Sequence, residues 1–284
     1  MENNWVYFGS FHISAGILER LVAAGTMPRA VICSPDRPAG RDKKLTPPRI
    51  KQLIAERGWQ IEVLQPESLT EVVAYLERTK PALALVMGYP KIFTAEILKL
   101  PTHGTIGIHP SLLPLYRGAS PIQSVLLAGE EKTGITLYQM DEKMDHGPIV
   151  AQTEIAISHT ESNDSLIQKV ITVAGDLAAQ VLPTALTGSV SAHPQNHAAA
   201  TFTKKFSTAD ARCDMQNDAP LTIYRKIKAL NPEPGAWTMN FPGREEVRVK
   251  LLDATYENGL LTITQIQPDG KKPMPVSVSA NSDR

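Results

Sequence analysis

Residues 106–122 read Ile-Gly-Ile-His-Pro-Ser-Leu-Leu-Pro-Leu-Tyr-Arg-Gly-Ala-Ser-Pro-Ile and hold the densest set of groups able to do chemistry. His109 directly follows an apolar run. A histidine in that place is most often structural. This one, however, opens a segment stiffened by Pro110 and Pro114 and carrying Arg117 and Gly118. A stiff loop at a strand end is a good mount for a catalytic side chain. A second group lies downstream in Met140-Asp-Glu-Lys-Met-Asp-His-Gly-Pro-Ile. The turn after Asp145 can aim that carboxylate back across a sheet. Asp141 and Glu142 read as a solvated acidic turn. Cys33 and Cys213 are the only cysteines; they stand far apart, with no CxxC or histidine spacing. That pattern gives neither a zinc site nor a disulfide framework, so reduced thiols and no metal are expected.

The elements that must position His109 and Asp145 alternate in type. Trp5–Phe8 reads as a short strand ending at Gly9, and residues 13–24 space apolar groups as a helix does. Residues 29–33 form a second strand, and residues 47–57, opened by Pro-Pro, a helix. Strands at 62–64, 82–87 and 105–109 alternate with helices at 69–78 and 94–98. This alternation predicts a parallel sheet covered on both faces. Ligands of such sheets sit beyond the carboxyl ends of the strands, where His109 falls. Strands follow at 134–140 and 148–153, separated by the polar loop 141–147. A long helix is expected over 162–186, with Ser162 as N-cap and Gly188 as its stop. Residues 189–201, rich in His, Pro, Asn and Ala, read as a linker. Beyond residue 203 come a helix at 221–230, the segment Asn231-Pro-Glu-Pro-Gly, and short alternating strands at 236–240, 247–252 and 260–266. That pattern suits a small barrel. The expected organisation is a catalytic α/β domain over 1–188, a linker over 189–202 and a β domain over 203–284.

A chain of 284 residues suits two such domains, and 42% hydrophobic against 20% charged residues marks a globular protein rather than a disordered one. The formal net charge is zero, so no global basic field draws in a nucleic acid, and any such contact must rest on local clusters. The N-terminus has no basic region followed by a long apolar run, and no stretch of ~18 apolar residues occurs. A cytoplasmic protein without a membrane span is expected.

The two chemical segments together resemble the formyltransferase family that uses 10-formyltetrahydrofolate. Its hallmark is Asn-x-His, followed by Pro-Ser-Leu-Leu-Pro-x-Tyr-Arg-Gly, with Asp-x-Gly further on. The likeness extends to Phe8-Gly9, to Ser34-Pro-Asp-Arg-Pro-Ala-Gly-Arg-Asp-Lys-Lys-Leu-Thr-Pro and to Leu64-Gln-Pro-Glu-Ser-Leu. It continues through Gly118-Ala-Ser-Pro-Ile-Gln, Gly134-Ile-Thr and Asn231-Pro-Glu-Pro-Gly-Ala-Trp. These segments look like the members of the family that act on methionyl-tRNA. The resemblance implies a Rossmann-like domain and a C-terminal barrel of oligonucleotide-binding type. It implies that His109 sits by the formyl oxygen, that Asp145 holds the imidazole, and that no metal takes part. Ser111 and Arg117 would shape the loop. Met87, Tyr89, Ile92, Ser111, Leu112, Leu113 and Pro114 would line the folate pocket.

One departure bears on turnover. Gly107 stands where the family has its Asn, and that Asn supplies an amide donor to the oxyanion. Loss of one such donor typically costs about 10²–10³ in rate. No Asn occurs between Trp5 and Ser162. A water, Gln123 or Tyr89 are the candidates to take its place, and the expectation is a slower or rewired transferase. Ser10-Phe-His-Ile-Ser also replaces the family's Thr-Pro-Glu-Phe, which brings His12 near the site by analogy.

The acceptor implied is the amine of methionyl-initiator tRNA. Arg37, Arg41, Lys43, Lys44, Arg49 and Lys51 face only Asp36 and Asp42 in a basic loop, which suits phosphate neutralisation. Lys204, Lys205, Arg225, Lys226, Lys228, Arg244, Arg248, Lys250, Lys271 and Lys272 add bases to the C-terminal part, as on other small barrels that bind nucleic acid. The tRNA contacts expected first are Arg37, Arg41, Lys43, Lys44, Lys204 and Lys205, in a monomer. Two alternatives remain: an amino-sugar formyltransferase, which needs neither the basic loop nor the barrel, and a tRNA- or folate-binding relative that lost catalysis through Gly107. A nicotinamide enzyme is excluded, because Gly9-Ser-Phe-His-Ile-Ser is not Gly-x-Gly-x-x-Gly.

Overall fold

The computed structural model describes residues 4–40 and 42–281. The main sheet has seven strands in the order Ile149–Ala156, Lys132–Gln139, Thr105–His109, Leu83–Val86, Trp5–Phe8, Ala30–Ile32 and Glu62–Leu64. From Thr105–His109 to Glu62–Leu64 the neighbours are parallel. Direction reverses where Thr105–His109 pairs antiparallel with Lys132–Gln139. Trp5–Phe8, Ala30–Ile32, Leu83–Val86 and Thr105–His109 are buried at every residue, as strands covered on both faces must be. The α/β alternation read from sequence is therefore the architecture found.

The crossover helices are His12–Ala23, Arg49–Arg57, Leu69–Thr79 and Ala95–Lys99. Local chemistry sets their ends. Ser68 and Glu71 close a capping box at the start of Leu69–Thr79, satisfying two N–H groups the helix cannot bond itself. The expected helix over 47–57 begins at Arg49. Pro47 is driven out of the helical region by the proline that follows it, and Pro48 is the extended N-cap (ψ 146°). The basic stretch expected as a loop is a hairpin, with Arg37–Ala39 antiparallel to Lys44–Thr46 and Gly40 left-handed at φ 73°. Arg41, one of the expected tRNA contacts, lies outside the described residues.

The chain divides into two compact units. The first comprises Met1–Arg117, Gly134–Ile155 and Gln168–Thr201; the second comprises Gly118–Thr133, Ala156–Ile167 and Phe202–Arg284. In the second, Trp237–Phe241, Arg244–Glu257, Leu260–Pro268 and Met274–Asn281 form an antiparallel sheet in chain order. Helix Pro220–Leu230 gives Ile223, Tyr224 and Ile227 to a core shared with Val249, Leu251, Ala254, Leu261, Ile263 and Ile266. Two of its elements were not anticipated. Helix Pro121–Ala128 packs on Pro220–Leu230; proline opens it and left-handed Gly129 closes it. The strand Met274–Asn281 follows Pro273 and contains Pro275. Among the described residues it pairs only with Leu260–Pro268, an edge place where a missing N–H is tolerated, and Val276 and Val278 pack on the core.

Helix Asn163–Ala185 is long and apolar enough to cross a membrane by length and composition alone. Its Leu166, Val170, Ala174, Ala178, Leu182 and Ala185 are buried at helical spacing, the stripe of a core helix.

Cys33 and Cys213 are free and buried. Burial pushes each thiol up to about 12, and only the thiolate is an effective nucleophile. In native protein at mildly alkaline pH, Ellman's reagent should therefore label neither thiol quickly, and in denaturant it should label both. A fast-reacting native thiol would contradict the core placement of these residues.

Candidate active site

Alternation along a strand puts Gly107 and His109 on one face of Thr105–His109. The antiparallel register sets Gly107 opposite Tyr138 and His109 opposite Thr136, so Tyr138 and Thr136 share that face. Thr136 ties down the loop that follows His109. Its hydroxyl donates to the Ser111 carbonyl at 2.7 Å and accepts the Leu113 N–H at 3.1 Å. Gln152 Nε2 donates to the Leu113 carbonyl at 3.0 Å, and Ser111 Oγ donates to the Leu115 carbonyl at 2.6 Å. The Leu113–Pro114 bond is cis. The stiff mount expected from the prolines is thus also pinned by hydrogen bonds.

His109 is only 5% exposed. Its Nε2 lies 2.9 Å from the Tyr116 carbonyl. A carbonyl only accepts, so Nε2 carries a proton. Nδ1 therefore turns to Asp145 Oδ1, 3.6 Å away, close enough for charge attraction but beyond hydrogen-bond range. Asp145 sits on the turn after Lys132–Gln139 with a left-handed backbone (φ 49°). Strand end and turn thus bring imidazole and carboxylate together.

Tyr138 completes this group. Its hydroxyl donates to Asp145 Oδ1 at 2.9 Å. Burial first, then the Asp145 charge, push the phenol well above its ordinary range, so it remains a donor. A Cβ on Gly107 would fall 2.6 Å from Tyr138 Cε1 and Cζ and 2.8 Å from its oxygen. The space beside residue 107 holds a tyrosine ring. Neither side chain first considered for that space is there. Tyr89 belongs to an aromatic cluster, its ring stacked on Phe93 at 5.6 Å and edge-on to Phe8 at 5.3 Å. Gln123 donates to the Glu233 carbonyl at 2.7 Å.

The Asp145 turn is held from below. Gln195, 5% exposed, donates to the carbonyls of Asp145 at 3.0 Å and Gly147 at 2.7 Å. It accepts from Arg117 Nε at 3.2 Å, and Arg117 is itself buried. Arg117 Nη2 also meets His197 Nδ1 at 3.0 Å, and the His197 ring stacks on His146 with centroids 4.0 Å apart. His146 Nδ1 lies 2.6 Å from Asp141 Oδ2, so Asp141 has a partner rather than being merely solvated. Burial, then His146 and Arg117, lower the His197 pKa. Gly147 has no room for a side chain, because a Cβ would strike the Gln139 carbonyl oxygen. Gln195 and Tyr138 were not read as site residues. Gln195 lies in a segment that resembles a linker, and Tyr138 looks like one more apolar strand residue.

Elsewhere, Met87, Ser111 and Leu113 are buried, and Tyr89, Leu112 and Pro114 are half-buried. Ile92 is 78% exposed. The buried Tyr89 hydroxyl has no partner among the described residues. Arg37, Lys43 and Lys44 stand exposed on the hairpin; in the second unit Lys205 is exposed and Lys204 pairs with Asp210. His12 is the exposed first residue of its helix. Gln195→Ala should remove a donor from the buried Gly147 carbonyl and the half-buried Asp145 carbonyl, and an acceptor from Arg117. Such a loss costs about 1–3 kcal/mol, which thermal denaturation should register, and an unchanged melting temperature would show that the turn does not depend on Gln195.

Residues 5–186 match the formyl transferase family model. A methionyl-tRNA formyltransferase from Chloroflexus aurantiacus is 41% identical over 235 residues, 82% of this chain and 75% of that one. One from Thermotoga maritima is 36% identical over 270 residues, 94% of this chain and 81% of that one. Among solved structures, an N-formyltransferase from Helicobacter canadensis with folinic acid and dTDP-3-aminofucose is 17% identical, with a TM-score of 0.65 over 97% of this chain and 99% of that one. HypX from Aquifex aeolicus in complex with tetrahydrofolic acid is 18% identical, with a TM-score of 0.66 over 98% of this chain and 46% of that one. These two likenesses concern the fold. With the matched model spanning most of the chain, and with His109 and Asp145 facing each other at the end of its sheet, the protein belongs to the formyl transferase family.

Proposed function

We propose that the protein transfers a formyl group from 10-formyltetrahydrofolate to the amine of methionyl-initiator tRNA. The identity of 36–41% to methionyl-tRNA formyltransferases over 82–94% of the chain carries this reading. The amino-sugar enzyme shares the fold at 17% identity, which favours tRNA as the acceptor. On this reading the first compact unit carries the catalysis and the second the tRNA binding of a cytoplasmic monomer.

The amine adds to the formyl carbon and builds a tetrahedral oxyanion. The new carbon–nitrogen bond is kept as the bond to the folate nitrogen breaks. A proton leaves the amine and one is delivered to the folate nitrogen. His109 stabilises the oxyanion charge or relays that proton, and Asp145 orients it. Gly107 contributes no donor of its own. Met87, Tyr89, Ile92, Ser111, Leu112, Leu113 and Pro114 line the folate pocket. The partnerless Tyr89 hydroxyl beside the Tyr89–Phe93 stack fits a flat ring with a polar edge. Arg37, Arg41, Lys43, Lys44, Lys204 and Lys205 neutralise tRNA phosphates.

Full-length protein given formyl-folate should formylate charged initiator tRNA and leave an amino-sugar panel unmodified; formylated sugar with unmodified tRNA would reverse the assignment. His109→Ala should lower kcat by about 10²–10⁴ while the fold stays intact. Lys44→Ala should raise KM for tRNA with little change in kcat, and reduce the slope of log KM on log salt by about one. A slope equal to that of wild type would remove Lys44 from the contact surface.

A further inference from the structure

We infer that Tyr138 is a positioning residue of the formyl-transfer site, acting through Asp145 on His109, and that Gly107 is what gives it room. The inference rests on the function proposed above. Four observations carry it. First, Tyr138 stands directly across the strand pair from Gly107 and on the face that presents His109. Second, its ring occupies the volume any side chain at 107 would need, since a Cβ there would lie 2.6 Å from two ring carbons. Those atoms belong to a ring only 5% exposed, so it has little freedom to give way. Third, the hydroxyl places its hydrogen bond on Asp145 Oδ1, the oxygen that faces His109 Nδ1. A bond from a neutral donor to a carboxylate is charge-assisted and fixes the direction of the oxygen it meets. Fourth, the backbone of Asp145 is held separately, through its carbonyl, by Gln195. Asp145 is thus held at its backbone by Gln195 and at its carboxylate by Tyr138, on the side of the imidazole.

The geometry also changes the meaning of a substitution at 107. Asparagine at that position does not simply add an amide donor, because it must first displace the tyrosine and with it the hydrogen bond to Asp145. Glycine here is the counterpart of the tyrosine, and the two residues act as a pair.

The test compares formylation kinetics of wild type, Tyr138→Phe, Gly107→Ala and the double variant, all as the full chain. Phenylalanine keeps the ring and removes only the hydroxyl. Misplacement of a catalytic group by about 1 Å can cost ~10²-fold. Tyr138→Phe is therefore expected to lower kcat by about tenfold or more, with KM for both substrates within about twofold and a melting temperature lowered only as far as the loss of one hydrogen-bond partner lowers it. Gly107→Ala should lower kcat by pushing the hydroxyl off Asp145, and the double variant should be no slower than the slower single one. A kcat for Tyr138→Phe within about twofold of wild type, or losses that multiply in the double variant, would overturn the inference. If wild type formylates no acceptor, the proposed function fails but the inference is still read from the imidazole NMR signals of His109. Those signals should differ between wild type and Tyr138→Phe if the phenol sets Asp145 against the ring, and superimpose if it does not.

Discussion

Everything at the candidate site depends on the register between Thr105–His109 and Lys132–Gln139. With Gly107 across from Tyr138 and His109 across from Thr136, one face of the strand pair carries the imidazole, the phenol and the hydroxyl that pins the following loop. A slip of one residue would put the phenol and the hydroxyl on the face opposite the imidazole. The opposite face resists the slip, because Ile106, Ile108, Ile135 and Leu137 are all buried. Apolar burial on one side of the pair thus sets the chemistry on the other. The direction change also matters. Antiparallel pairing sets Gln139 beside Ile106, at the start of Thr105–His109, and the turn that follows then brings Asp145 Oδ1 to 3.6 Å from His109 Nδ1.

The parts legible in the sequence were those with a local signal. The α/β alternation, the strand Thr105–His109 and the turn at Asp145 all follow from period, proline and glycine, and their boundaries agree within a few residues. His109 was legible because a strand end followed by two prolines is a local pattern. Tyr138 was not, because its role comes from residues far away in the chain. Nothing within a few residues of Tyr138 distinguishes it from Leu137. Gly107 could be noticed as a missing side chain, but what fills the gap is a cross-strand fact. Gln195 was hidden for a similar reason. The run His-Pro-Gln-Asn-His looks like a linker, and only the fold brings one of its amides under the Asp145 turn. The strand Met274–Asn281 escaped because proline is usually read as a break, a rule that relaxes at a sheet edge.

Counting bases along the chain overstated the basic surface. Lys51 pairs with Asp36, Arg49 with Glu56, Lys226 with Asp218 and Lys228 with Asp253. Arg248 lies over the Trp237 ring at 4.4 Å, a use of the guanidinium that needs no anion. These pairs, mostly half-buried, spend much of the local positive charge. What the hairpin presents is Arg37, Lys43 and Lys44, on a short ribbon rather than a slack loop. A ribbon holds its cations at a fixed spacing, so less side-chain and backbone freedom is lost when a polyanion is met.

The second compact unit is assembled from three separated stretches of chain. Helix Pro121–Ala128 packs on Pro220–Leu230, nearly a hundred positions later. On the ribosome the earlier helix emerges first and has to wait, its apolar face uncovered, until translation delivers its mate. The growing polypeptide therefore cannot finish this unit in order from the N-terminus, as independent domains usually do. A chain that stopped before Pro220 would carry Ile122, Val125 and Leu126, buried in the complete protein, on a helix lacking its neighbour Pro220–Leu230.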